Sequence, residues 1–430
     1  MRAPIRIGAG VLLVTAAAFF SWHFLHEREP SLLATEPLVE GNTEFALKLF
    51  ARIGDTETNI IVSPYSISCA LAMMHAGARG LTAQQLESTA AFPQPATNLP
   101  GLFHALDFRL DRARRTGKAE LAIANAVWTQ AGYNCRRDFL ELITTHYQAT
   151  AKSADFVYQP ENVRSEINQW VDENTRHKIR GLFAPGIIDT MTRVVVVNSI
   201  YFRGTWAAVF SESATQPGEF FVNSNRTVTV PMMTQSGEFK YFGNTNLQCL
   251  VLPYRKQQFE MIVLLPRAGG RRNPSAENVP GNANFTLAEL ERELVADNLD
   301  GWLRAAEKIE MRATIPRFRI ANRYSLKDVL AAMGIKDAFE PDHADFSGMT
   351  TATNQLFLTA VVHQAVIDVN EKGTEAAAAT GEAAAGGASA QPEPFVADHP
   401  FVFLVRETGT GTILFMGQLM EPGSGEVNVE

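Results

Sequence analysis

The side chains able to do chemistry are scattered through this chain of 430 residues rather than gathered. None of its nine histidines (His23, His26, His75, His104, His146, His177, His343, His363 and His399) shares a helix face with another at metal-ligand spacing. Three cysteines, Cys69, Cys135 and Cys249, cannot staple a chain of this length, and without a CxxC spacing they suggest no zinc site. They read as free, partly buried thiols. There is no GxSxG elbow, no Walker loop, no HExxH helix and no dinucleotide glycine fingerprint. The expectation is a protein that is not an enzyme and that uses neither metal nor cofactor. Lys plus Arg number 38 against 46 Asp plus Glu, a net charge of -8 without a basic run, which argues against nucleic acid as the main partner.

One region carries an unusual pattern. Glu371-Lys372-Gly373-Thr374-Glu375 leads into Ala376-Ala377-Ala378-Ala379, then Thr380 and Gly381. Residues 381–394 continue as GEAAAGGASAQPEP, small, flexible and ended by proline. A long exposed loop inside an otherwise packed chain is usually functional or disordered. A second loop, residues 269–284, is rich in Gly, Asn, Pro and Arg and reads as an exposed insertion.

The elements that must hold such loops follow from hydrophobic period. Strand signals dominate the later part: the β-branched and aromatic run 194–202, then 260–265, 401–405 and 412–416, with polar–apolar alternation over 223–233. Helix signals dominate the earlier part. Residues 162–179 place Ile167, Trp170 and Val171 on one face. Leu81-Thr82-Ala83-Gln84-Gln85-Leu86 reads as a capping box, Thr82 the cap and Gln85 its partner, with Leu81 and Leu86 as a hydrophobic staple. A helix opening at Ser325 should end at Gly334. Helices first and strands later fit an α+β fold better than alternating βαβ units. With 46% hydrophobic and 20% charged residues the chain is globular, and no internal repeat is visible.

The first residues stand apart. Arg2 and Arg6 precede an uncharged run from 7 to 25, about 28 Å long as a helix. This reads as a signal peptide or an uncleaved membrane anchor, with the rest of the chain exported, secreted or held at the membrane. No small-residue cleavage site closely follows the run, which favours the anchor. Two acceptor sequons, Asn225-Arg226-Thr227 and Asn284-Phe285-Thr286, matter only where the source glycosylates.

Residues 371–381 resemble the hinge of an inhibitory serpin. Ala397-Asp398-His399-Pro400-Phe401-Val402-Phe403 is similar to the family signature that follows the reactive loop, and 409–417 to the closing strand. Asn59-Ile60-Ile61-Val62-Ser63-Pro64 resembles the start of the buried second helix, and Asn198 to Trp206 the central strand with its tryptophan. Ala344 to Met349 and Ile315-Pro316-Arg317-Phe318 are also similar to family segments. The chain is thus identified as a member of the serpin family, resembling the intracellular-type, leukocyte elastase inhibitor-like serpins. The match runs over 37–422, with residues 1–36 as signal or anchor and linker, and 423–430 as a tail.

The resemblance implies an α+β fold with three β-sheets, about nine helices and an exposed reactive centre loop over about 371–396. It implies a monomeric suicide inhibitor of serine proteases: the loop is cut, an acyl-enzyme forms, and the loop inserts into the central sheet before hydrolysis. Loop insertion of this kind is an established instance of strand addition and stored strain. By the family's geometry Thr374, Ala376, Ala378 and Thr380 face the core, Glu375 the opposite side, and Gly373 starts the turn with Glu371. Glu382 continues the buried parity, where a carboxylate is costly. Ser63, Ser66, Asn198 and His363 resemble the polar shutter cluster. Trp206 and Arg317 resemble the breach, Arg317 pairing with Glu371. Counting along the loop puts the scissile bond at Gly387–Ala388, among small residues from Ala384 to Ser389. Small residues suit an elastase-like or subtilisin-like serine protease, with papain-like cysteine proteases second. The reading from another class is a non-inhibitory carrier or chaperone serpin.

Overall fold

The computed structural model describes residues 34–54, 57–267, 285–351, 356–374, 393–423 and 428–429. The apolar run 7–25, the insertion 269–284 and the loop from Glu375 to Pro392, with Ala376, Ala378, Thr380, Glu382, Gly387 and Ala388, lie outside them. Described helices are α1 (Glu36–Ile53), α2 (Pro64–Gly77), α3 (Gly80–Thr89), α4 (Leu99–Gly117), α5 (Arg137–Tyr147), α6 (Pro160–Asn174), α7 (Leu287–Glu293), α8 (Ala296–Ala305) and α9 (Lys327–Met333). Strands are β1 (Ile60–Val62), β2 (Glu120–Gln130), β3 (Thr150–Ala154), β4 (Val194–Thr205), β5 (Gln216–Asn223), β6 (Arg226–Gly243), β7 (Leu247–Pro253) and β8 (Phe259–Pro266). They continue as β9 (Glu307–Pro316), β10 (Phe318–Ser325), β11 (Leu358–Asn370), β12 (Gly373–Thr374), β13 (Glu393–Val396), β14 (Phe401–Glu407), β15 (Ile413–Leu419) and β16 (Asn428–Val429).

The sheet that positions the site has the order β16-β10-β11-β12-β4-β2-β3, and β11 also pairs β4 directly. That direct pairing is parallel, from Leu358↔Val194 to Val366↔Tyr201. Above it the two strands part, and β12 lies between them. The other strands form one hydrogen-bonded sheet, in which β6 and β9 are long enough to join two halves that the family resemblance separates.

Strand parity explains why β4 and β11 read as continuous apolar runs. Val194, Val196, Ile200 and Phe202 enter the main core, as do Val361, Ala365 and Ile367. The alternate residues Val195, Val197, Ala360, Val362 and Val366 form a second cluster beneath α6, which presents Val163, Ile167 and Val171 at i, i+4 and i+8. Asn198 and His363 fall on the main-core parity, so each carries a polar group into an apolar layer.

Two local readings need correction. Thr82 does not cap a helix: α3 starts two residues earlier, at Gly80. Its hydroxyl accepts from the Asp345 N–H at 3.0 Å, and Gln85 Oε1 accepts from the Lys336 and Asp337 N–H groups at 2.8 Å each. Both side chains bind a distant segment that local sequence cannot show, and Leu81 stays exposed, so no staple forms. A capping box does exist at Thr286 and Glu289. Ser325 belongs to β10, and the helix begins after Leu326, but Gly334 ends it at φ +130° as expected. The alternating run 223–233 is strand as expected, leaving the end of β5, turning at 224–225 and continuing as the first part of β6. Cys69 and Cys249 are buried, Cys135 is half-buried, and all three are free.

Candidate functional site

At the top of the seven-stranded sheet the chain leaves β11 at Asn370, turns through Glu371 and Lys372, and returns as β12. Gly373 pairs Asn370 on one side and Thr205 on the other, while Thr374 pairs Val369 and Gly204. Gly373 has φ +146°, and a Cβ there would lie 1.9 Å from the Gly204 carbonyl oxygen, so only glycine fits. Trp206 holds the turn from below. Its backbone N–H donates to the Lys372 carbonyl at 3.0 Å and its indole N–H to the Asn370 carbonyl at 2.9 Å. The Phe210 N–H donates to the Glu371 carbonyl at 2.9 Å.

The Glu371 side chain is buried and accepts from Arg317 and from the Thr215 hydroxyl, the latter at 2.7 Å. Burial disfavours its charge, but the hydrogen bonds from Arg317 and Thr215 outweigh that and hold the carboxyl below the usual range. Arg317 remains half-exposed. Thr374, fully buried, meets Tyr254: their hydroxyl oxygens are 2.5 Å apart.

Farther down, Ser63, Ser66, Asn198 and His363 are in one network. The Ser63 N–H can only donate, and it reaches His363 Nε2 at 3.0 Å, so the imidazole proton sits on Nδ1. That proton faces Asn198 Oδ1 at 2.6 Å. Asn198 Nδ2 donates to the Ser66 carbonyl at 2.8 Å and hydroxyl at 2.6 Å, and to Asn125 Oδ1 at 2.7 Å. Ser63 Oγ caps α2 by accepting from the Ser66 N–H at 3.3 Å. Burial pushes His363 down to about 3, so it is neutral.

Thus the structure joins Glu371 to Arg317, sets Gly373 and Trp206 around one turn, and gathers the four polar residues beneath the sheet. Sequence reasoning missed Thr215, Tyr254 and Asn125. Asn125 left a signal, a lone amide inside the apolar run of β2. Tyr254 and Thr215 lie in short connections whose partners are remote in sequence, and they left none. Among the described residues no cluster of three or more His, Cys, Asp or Glu could hold a metal, and no helix is long and apolar enough to cross a membrane.

The family model described as Serpin (serine protease inhibitor) matches residues 40–422. The leukocyte elastase inhibitor of Bos taurus is 37% identical over 393 residues, covering 90% of this chain and 100% of that protein. Its Homo sapiens counterpart is 36% identical with the same coverage. Among solved structures, human thyroxine-binding globulin complexed with thyroxine superposes with a TM-score of 0.77 at 29% identity, covering 91% of this chain and 100% of the other. Family model and relatives support protease inhibition as the general activity, the solved structure agrees with them on the fold, and this chain belongs to the serpin family.

Proposed function

We propose that the protein is a suicide inhibitor of serine proteases of elastase-like or subtilisin-like specificity. A protease attacks the loop after Thr374, with Gly387–Ala388 as the reactive bond, and is held as an acyl-enzyme while the loop inserts. The chain is then the consumed substrate and not a catalyst. The observation that carries this reading is the placement of Gly373 and Thr374, hydrogen-bonded to β11 on one side and β4 on the other. A strand begun there has a path downward between β4 and β11, whose direct parallel pairing it would replace. The small residues from Ala376 to Thr380 suit such a path. Glu371, Gly373, Trp206 and Arg317 then form the upper gate, and Ser63, Ser66, Asn198 and His363 the polar seam that opens lower down. Incubation with an elastase should give a complex that survives boiling in detergent, and mass spectrometry of the released peptide should locate the cut at Gly387–Ala388. Cleavage to completion without any such complex would instead support a non-inhibitory serpin.

We also propose, from Arg2 and Arg6 before the apolar run 7–25, that the domain is carried out of the cytosol. Fractionation of the source cells tests this: recovery of the full-length chain only in the cytosol would overturn it.

A further inference from the structure

Tyr254 follows β7 directly, and its surroundings leave it one orientation. Its ring stacks on Trp206 with centroids 4.5 Å apart and an interplanar angle of 14°, and meets Phe202 edge-on at 5.2 Å. Trp206 and Tyr254 also form an isolated β-bridge. The ring passes under β4 at Gly204, where a Cβ would come within 2.8 Å of it. Gly204 is also the β4 residue paired with Thr374. The missing side chain therefore makes the channel through which the phenol reaches Thr374. Tyr254 and Thr374 are both buried. Away from solvent, the two hydroxyls satisfy each other.

We infer that Tyr254 is a positioning residue for loop insertion: its hydroxyl fixes Thr374, and with it the register in which the following residues enter between β4 and β11. The inference rests on the trapping reading above. Successive side chains on a strand point to opposite faces, so a slip of one residue would exchange every core-facing position. The residue brought to Tyr254 by such a slip would be Glu375, whose carboxylate would be buried in place of a hydroxyl. The tyrosine hydroxyl thus selects the face on which Thr374 and the small residues after it point to the core.

Tyr254→Phe removes the hydroxyl and keeps the stacked ring. Thr374→Val removes the partner hydroxyl at equal size, and Thr374→Ser retains it. In the intact protein, hydrogen exchange over residues 369–374 should rise about fivefold in Tyr254→Phe, the effect of one net hydrogen bond. It should rise equally in Thr374→Val, no further in the double variant, and stay near the original rate in Thr374→Ser. With an elastase, the first two variants should consume more inhibitor per protease trapped, at an unchanged rate of loop attack. Unchanged exchange in Tyr254→Phe, or additive effects in the double variant, overturns the inference. Should the unaltered protein trap no protease, the functional reading fails, while the exchange measurement still decides whether Tyr254 holds Thr374.

Discussion

His363 is buried with its two ring nitrogens committed, one accepting from Ser63 and the other donating to Asn198. Protonation would set Nε2–H against the Ser63 N–H, and burial already holds the group down to about 3 from the ordinary 6.5. The unfolded chain therefore binds a proton between about pH 6.5 and 3 that the folded chain refuses. Stability from this group is complete above 6.5 and falls on acidification through that window, at up to about 1.4 kcal/mol per pH unit. His363→Gln should flatten the fall in melting temperature between pH 6.5 and 4. At pH 7.5 it should cost roughly 1–3 kcal/mol for the imperfectly replaced hydrogen bonds. Parallel pH profiles of melting in the two proteins check both. The resemblance named His363, Asn198, Ser63 and Ser66 one by one, but it could not show that Asn125 completes the seam, because that bond depends on β2 lying beside β4.

At the scale of elements, period was enough for strands and for the amphipathic helix. The run 194–202 became β4, and residues 162–179 became α6, which starts two residues earlier and ends five earlier, at Asn174. Local capping chemistry misled at Thr82, because its polar atoms found tertiary partners that the sequence does not bring near. The insertion path is also an element-scale matter. Thr374 is fully buried toward Tyr254, so in an inserted strand counting by two would put Ala376, Ala378, Thr380 and Glu382 on the same side. A carboxylate there would need a partner or a proton. Glu382→Val should raise the insertion rate and lower the inhibitor consumed per protease trapped, by about fivefold or more if the burial penalty exceeds ~1 kcal/mol. Stoichiometric titration against an elastase measures it, and an unchanged value means that Glu382 does not hinder insertion.

For the whole molecule, the direct ladder between β4 and β11 must open before any strand fills it, and α6 with Val163, Ile167 and Val171 shares one apolar cluster with Val195, Val197, Ala360 and Val362 of that seam. The intact form is then held by a barrier, and the form cut within 384–389 should melt roughly 10 °C or more above it as the new ladder forms. Calorimetry before and after limited proteolysis reads this directly; equal melting points would contradict insertion. Because β12 already has a neighbour on each side, an opened β4–β11 seam would offer one place for an added strand among the described residues. A molecule that has used it cannot be reloaded, so protection would be set by how many fresh copies are made, not by how tightly each one binds.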